Sequence, residues 1–152
     1  VYQPPHNGAD PQRTAEESVA AMMAADVSAG PLGIDVDRVA PGRARATMRV
    51  TPAMVNGHGL CHGGYVFLIA DTAFAAACNT YGVATVAAGA DITFVAAARA
   101  GDLLTAHATE RTRYGRSGLY DATVTRAAAS AGPDEVIAEF RGRSRALPAA
   151  RR

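Results

Sequence analysis

The sequence is short of net charge, of cysteine and of long apolar runs, and each shortage closes off a class of function. Its formal net charge is +1, so no field draws the chain onto nucleic acid or an anionic membrane. All 15 basic side chains are arginine, and they do not gather on one predicted helix. The densest groups are Arg111, Arg113 and Arg116, and the run from Arg141 to Arg145. Two cysteines, Cys61 and Cys78, allow one disulfide by count but are weak grounds for a secreted scaffold. No charged start followed by an apolar stretch and a small-residue cleavage site is present. The longest apolar stretch, Tyr65 to Cys78, is too short for a membrane span and carries an acid in its middle. A reducing cytoplasm is the expected compartment, with neither nucleic acid nor membrane as partner.

What is there suits one ordinary folded domain. The 152 residues are 49% apolar and 19% charged, enough chain to bury a core without staples. Pro4, Pro5, Gly8 and Pro11 mark residues 1–13 as an irregular arm. Residues 14–147 are expected to form the domain and 148–152 a tail. Thr14 with Glu17 three residues on matches a capping box, predicting a helix to about Asp26 whose apolar face is Val19, Met22, Met23 and Val27. Leu32, Ile34, Val36 and Val39 then suggest a strand, broken at Pro41-Gly42. Ala44, Ala46, Met48 and Val50 alternate with polar residues, the mark of a half-buried strand.

A glycine-rich loop from Asn56 to Gly64 leads into a second predicted helix, from about Gly64 to Thr80. Four extended stretches follow: Val83 to Val95, Leu103 to Arg113, Gly118 to Ala127 and Val136 to Leu147. Strands lie on both sides of one long helix in the chain, without βαβ alternation. That order predicts the α+β class, with an antiparallel sheet wrapped around a central helix.

The central helix is apolar nearly all round, so it should be buried. Asp71 sits in its middle with no Lys or Arg within a turn. A buried carboxylate is costly unless it is hydrogen-bonded, paired or protonated. Bonding to Thr72 or to backbone is the structural explanation. A carboxylate whose pKa is raised by desolvation, suited to base or nucleophilic work, is the functional one. Ahead of it, Asn56-Gly57-His58-Gly59-Leu60-Cys61-His62-Gly63-Gly64 sets polar side chains and glycines against a helix start. Free backbone N–H groups there, with the helix dipole behind them, favour developing negative charge, as an oxyanion hole does. Eight residues separate Gly63 from Asp71, about 12 Å along a helix. Two groups so far apart cannot act on one carbonyl. If both are catalytic, the acid comes from a second subunit, and a homodimer is required.

Asn56-Gly57, His62-Gly63-Gly64, Ala70-Asp71-Thr72-Ala73-Phe74-Ala75 and Cys78-Asn79 together resemble the hotdog-fold thioesterases, most closely the phenylacetic-acid-degradation (PaaI) group. Gly115-Arg116-Ser117-Gly118-Leu119-Tyr120-Asp121 is a second, weaker piece of the likeness. The resemblance implies the hotdog fold and hydrolysis of aryl or hydroxyaryl acyl-CoA of the phenylacetyl-CoA kind, to free acid and CoA. It implies that Asp71 activates water or attacks the thioester, and that the Gly63 amide polarises the carbonyl. Asn56 and His62 would orient substrate or water, and Thr72 would position water. Gly64 would contact substrate, and Arg116 and Ser117 would lie near the phosphates or pantetheine arm of CoA. It implies dimers that pair into tetramers, and no metal or redox cofactor, CoA being part of the substrate.

Other readings use the same residues. His58, Cys61 and His62 are zinc-ligand types, but structural zinc takes four ligands and no fourth is evident. Cys61 beside His62 has the composition of a thiol nucleophile, although adjacent side chains seldom face each other productively. His62 with Asp71 could imitate the acid–histidine pair of hotdog dehydratases and hydratases. A non-catalytic acyl-CoA-binding protein would not need Asp71. Tyr65, Phe67 and Phe74 are placed either on an acyl pocket or in the core, and His6 and His107 on the surface or in packing.

Overall fold

The computed structural model describes residue 8 and residues 10–148 of the chain, so the sequence-based arm and tail lie largely outside the described residues. The first helix, α1 (Pro11–Ala25), starts three residues before the predicted capping box. Asp10 is its N-cap, accepting from the Gln12 amide at 3.1 Å, with Pro11 at the first helical position. Proline is preorganised there and aspartate is among the best caps, so this pair outcompetes Thr14 and Glu17. Glu17 pairs with Arg13 instead. Ala15 and Val19 are buried, while Val27 lies beyond the helix end and is 88% exposed, so it does not belong to the apolar face.

A short 3-10 turn, Gly30–Leu32, holds Leu32 out of the first strand, which runs Asp35–Ala40 as β1. Next come β2 (Arg43–Arg49), a second 3-10 turn (Pro52–Met54) and the central helix α2 (Gly63–Cys78). All four later stretches form strands: β3 (Thr85–Phe94), β4 (Leu103–Tyr114), β5 (Ser117–Arg126) and β6 (Glu135–Ala146). Every pairing is antiparallel, in the order β1-β2-β4-β5-β6-β3. The chain leaves β2 near one edge, crosses the sheet as α2 and enters β3 at the other edge. The sheet curls around that helix, which gives the α+β hotdog architecture.

The core is the inner sheet face against α2. Ile69, Ala70, Ala73, Phe74, Ala76 and Ala77 on the helix are at most 1% exposed. They meet Ala46, Met48, Leu104, Ala106, Tyr120, Ala122, Val124 and Ala138 from the strands. Alanines on both surfaces let helix and sheet approach closely, and Phe74 fills the remaining depth against Tyr120 and Phe140. Gly142 lies directly under that ring. A methyl group there would stand 2.7 Å from Phe74 Cε2, well inside contact distance. Burying a phenylalanine this fully contributes about 2–3 kcal/mol.

α1 packs beside β1 and is tied to the end of α2 by the Ser18 hydroxyl, which donates to Asn79 O at 2.7 Å. Cys61 and Cys78 are both buried and unbridged. His107 is exposed on the outer sheet face, whereas His6 lies outside the described residues. Among the described residues, no helix is long and apolar enough to cross a membrane.

Gly142→Ala is expected to destabilise the fold by about 1–3 kcal/mol through overpacking against Phe74. Chemical denaturation measures this, and an unchanged midpoint would show that the ring has room to move.

Candidate active site

Helix α2 begins with a side-chain cap. His62 is its N-cap residue, and His62 Nδ1 accepts from the Gly64 amide at 3.0 Å. An accepting Nδ1 fixes the neutral ring with its proton on Nε2, leaving that N–H as a donor. The Tyr65 amide turns back to His62 O at 3.0 Å. Of the first three helix amides, Gly64 and Tyr65 are therefore satisfied locally. The Gly63 amide has no acceptor among the described residues. The helix start thus presents one donor to a ligand, with the positive end of the dipole behind it.

The loop before the helix is shaped by Asn56. Its Oδ1 accepts from the His58 amide at 2.9 Å and the Leu60 amide at 3.3 Å, while its own N–H donates to Leu60 O at 2.8 Å. Those bonds fix the amide orientation, and Asn56 Nδ2 makes no further bond among the described residues. The His62 amide donates to Met54 O, and the Cys61 amide to Ala98 O, both at 2.8 Å, so the loop is pinned on two sides. Asn56, His62, Gly63 and Gly64 therefore form one group at the N-terminal end of α2.

Asp71 stands two turns into the helix. It is half-buried and has neither an ion pair nor a hydrogen bond among the described residues. Burial raises its pKa above the ordinary carboxylate range. The Thr72 hydroxyl donates to Leu68 O at 2.8 Å, back along the helix, so it does not satisfy the acid. That leaves the hydroxyl oxygen only as an acceptor, in a residue 8% exposed. The helix rise keeps Asp71 about 12 Å from Gly63 of its own chain.

Arg116 and Ser117 lie elsewhere. They line a cavity of about 560 Å³ beside the C-terminal end of α2, together with Cys78, Val83, Arg113 and Leu147. Cys78 is two turns beyond Asp71 on the same helix face. Its thiol is pushed up to about 12, by burial first and in smaller part by the Asp71 charge. Arg116 donates to Ala146 O through Nη2 at 2.7 Å and Nε at 3.2 Å. Arg145 reaches the Ser117 hydroxyl at 3.4 Å.

In the wall of this cavity is a cluster that the sequence did not announce. Tyr81 and Tyr120 both donate to Glu110 Oε2, at 2.8 and 3.0 Å. The Arg113 guanidinium lies 3.6 Å over the Tyr81 ring and reaches Glu110 at 3.3 Å. Burial, with help from Glu110, raises the Tyr81 phenol to about 12 and the Tyr120 phenol further. Both phenols therefore stay neutral donors, and the cluster ties the helix end to β4 and β5.

The thiol and zinc readings find no support in this geometry. Burial pushes the Cys61 thiol pKa up, with Asp102 adding to the rise, and a nucleophilic cysteine needs the opposite shift. Among the described residues, no group of three or more His, Cys, Asp or Glu side chains is arranged to hold a metal ion.

The chain is similar to known proteins over most of its length. The family model of the thioesterase superfamily matches residues 58–130. The acyl-coenzyme A thioesterase PaaI of Escherichia coli is 44% identical over 124 residues, covering 82% of this chain and 85% of that one. The structure of the E. coli PaaI protein from the phenylacetic acid degradation operon matches with a TM-score of 0.85 at 40% identity, covering 91% of this chain and 97% of that one. A point mutant of the phenylacetic acid degradation protein PaaI from Thermus thermophilus matches with a TM-score of 0.73 at 30% identity, covering 80% and 100%.

A raised carboxyl pKa is also a stability statement. Asp71 binds its proton more tightly folded than unfolded, so folding loses stability as pH rises from the unfolded value, about 3.9, through the raised one. Asp71→Asn is therefore expected to raise the denaturation midpoint at neutral pH, with the gain shrinking as pH falls through the raised folded value and vanishing below about 4. An equal gain at every pH would mean that charge desolvation is not its origin.

Proposed function

Because the chain belongs to the thioesterase superfamily, as a PaaI-type member, we propose that it hydrolyses acyl-CoA thioesters of the phenylacetyl-CoA kind to the free acid and CoA. The observation that carries the reading is the pairing of two unsatisfied groups on one helix. The open Gly63 amide suits a carbonyl oxygen gaining negative charge. Half-buried Asp71, its pKa raised by burial, is a stronger base than an ordinary carboxylate and suits proton transfer from water.

In this scheme the thioester carbonyl accepts from Gly63 N–H. Water attacks the carbonyl carbon as Asp71 takes its proton, and the C–S bond breaks. The proton returns to the departing CoA thiolate. Attack by Asp71 itself, through an anhydride that water then opens, uses the same atoms in two steps. His62, through Nε2–H, and Asn56, through Nδ2, are assigned to orient substrate or water. Thr72 is assigned to water as an acceptor and Gly64 to close approach of the substrate. Arg116 and Ser117 are assigned to the CoA arm, supported by the cationic cavity they share with Arg113. The chemistry needs no cofactor beyond the CoA of the substrate.

The separation of about 12 Å between Gly63 and Asp71 makes a second copy part of the site. Strand β3 is the edge we assign to it. It is an outer strand, and Val86, Phe94 and Val95 on or beside it are 45%, 53% and 57% exposed. An exposed edge with apolar side chains is a template for another strand. Antiparallel pairing of two β3 edges would set two α2 helices side by side, so that Gly63 of each copy faces Asp71 of the other. Pairing of such dimers into a tetramer, and a cytoplasmic setting, complete the reading.

Asp71→Asn, checked by scattering for unchanged assembly, is expected to lose thiol release from phenylacetyl-CoA by a factor of about 10² or more. In the parent, the acid limb of kcat/KM should fall at a pH above the ordinary carboxylate range, because burial raises the Asp71 pKa. Full activity in Asp71→Asn would remove the carboxylate from the mechanism. Binding of acyl-CoA without hydrolysis by the parent would make the protein a dehydratase or a sensor.

A further inference from the structure

The chain has four phenylalanines, and the core uses only two of them fully. Phe74 and Phe140 are 1% and 3% exposed, whereas Phe67 is half-buried and Phe94 is 53% exposed. Of these two, Phe94 lies against Gly63. Phe67 follows Gly63 by one helical turn and meets Phe140 edge-on, with centroids 5.4 Å apart at 71°. Phe94 ends strand β3, and alternation along the strand fixes its direction. Asp91 and Thr93 line a depression on the outer sheet face with His107 and Arg141, so Ile92 and Phe94 point to the helix side.

There the Phe94 ring presents its edge to the first turn of α2. A methyl group built on Gly63 would lie 2.9 Å from Phe94 Cζ and 3.3 Å from Cε1 and Cε2. Any side chain at position 63 would therefore have to push the ring aside. A carbonyl hydrogen-bonded to the Gly63 amide stands about 2.9 Å from its nitrogen. An acyl group carrying a phenyl ring one methylene beyond that carbonyl has the reach to set the ring against Phe94, and aromatic pairs favour offset and edge-to-face contact.

We infer that Phe94 is a specificity-determining residue: its exposed ring beside Gly63 is the wall on which the aryl ring of the acyl group packs, selecting aryl over saturated acyl groups. The inference rests on the thioesterase reading and narrows it. Contact with a second copy through β3 would also use an exposed Phe94, but it would affect all substrates alike. Selection by the ring affects only their ratio.

Phenylacetyl-CoA and cyclohexylacetyl-CoA have acyl groups of closely matched size and differ in aromaticity. Their kcat/KM ratio is to be measured in the parent, Phe94→Leu and Phe94→Tyr, with scattering to follow assembly. In Phe94→Leu the preference for the aryl ester should fall about 2- to 12-fold, while Phe94→Tyr keeps it. If Phe94→Leu loses its assembly, Phe94→Met supplies the same comparison with a flexible side chain of similar volume. An unchanged ratio in a variant that still hydrolyses, or an equal fall for both esters, overturns the assignment of Phe94 alone. A parent that cleaves neither ester overturns the hydrolase reading and this inference together.

Discussion

An α-helix rises about 1.5 Å per residue, and that fixed rise organises everything proposed for this protein. Helix α2 carries both an amide without an acceptor, at Gly63, and a carboxylate without a partner, at Asp71, among the described residues. The helix is rigid because the sheet is wrapped around it and alanines on both surfaces lock it in place. Neither group can move toward the other. A single copy therefore cannot bring the two groups onto one carbonyl.

The chain crosses from β2 to β3 through α2, which leaves β3 as an outer strand with exposed apolar side chains. The cavity lined by Arg113, Arg116 and Ser117 opens near the C-terminal end of α2, two turns beyond Asp71. Phe94, at the end of β3, stands over Gly63 at the other end. On the dimeric reading, one copy supplies the oxyanion donor and the aryl wall, and the other supplies the base and the cationic cavity. The Tyr81–Glu110–Tyr120 cluster with Arg113 braces the wall of that cavity.

Much of this was legible in the residues. Period-2 alternation in β2 and the long apolar helix with one acid pointed to the architecture, because burial on one face or all round leaves a periodic trace. The loop from Asn56 to Gly64 was visible as a helix start. Local competition was harder to read. Asp10-Pro11 caps α1 ahead of Thr14 and Glu17, and Gly30–Leu32 turns before β1 can begin, since several acceptable caps and turns lie within a few residues. Division of labour among the α2 amides was also hidden, because it depends on the His62 ring closing onto Gly64. Contacts across the sheet left no local signal: Glu110 with two tyrosines, and Phe94 over Gly63, join residues far apart in the chain.

The central claim is that each site draws Gly63 from one copy and Asp71 from another, and co-assembly tests it most directly. Asp71→Asn removes the base. Gly63→Pro removes the amide donor at the first helical position, where proline is tolerated, and the exposed end of the Phe94 ring can yield to the new side chain. Each variant alone should be inactive. When the two are unfolded together and refolded as a mixture, mixed dimers should regain one complete site each, about a quarter of parent activity for random pairing. Persistent inactivity, with mixed assembly verified by mass, would contradict a site shared between copies.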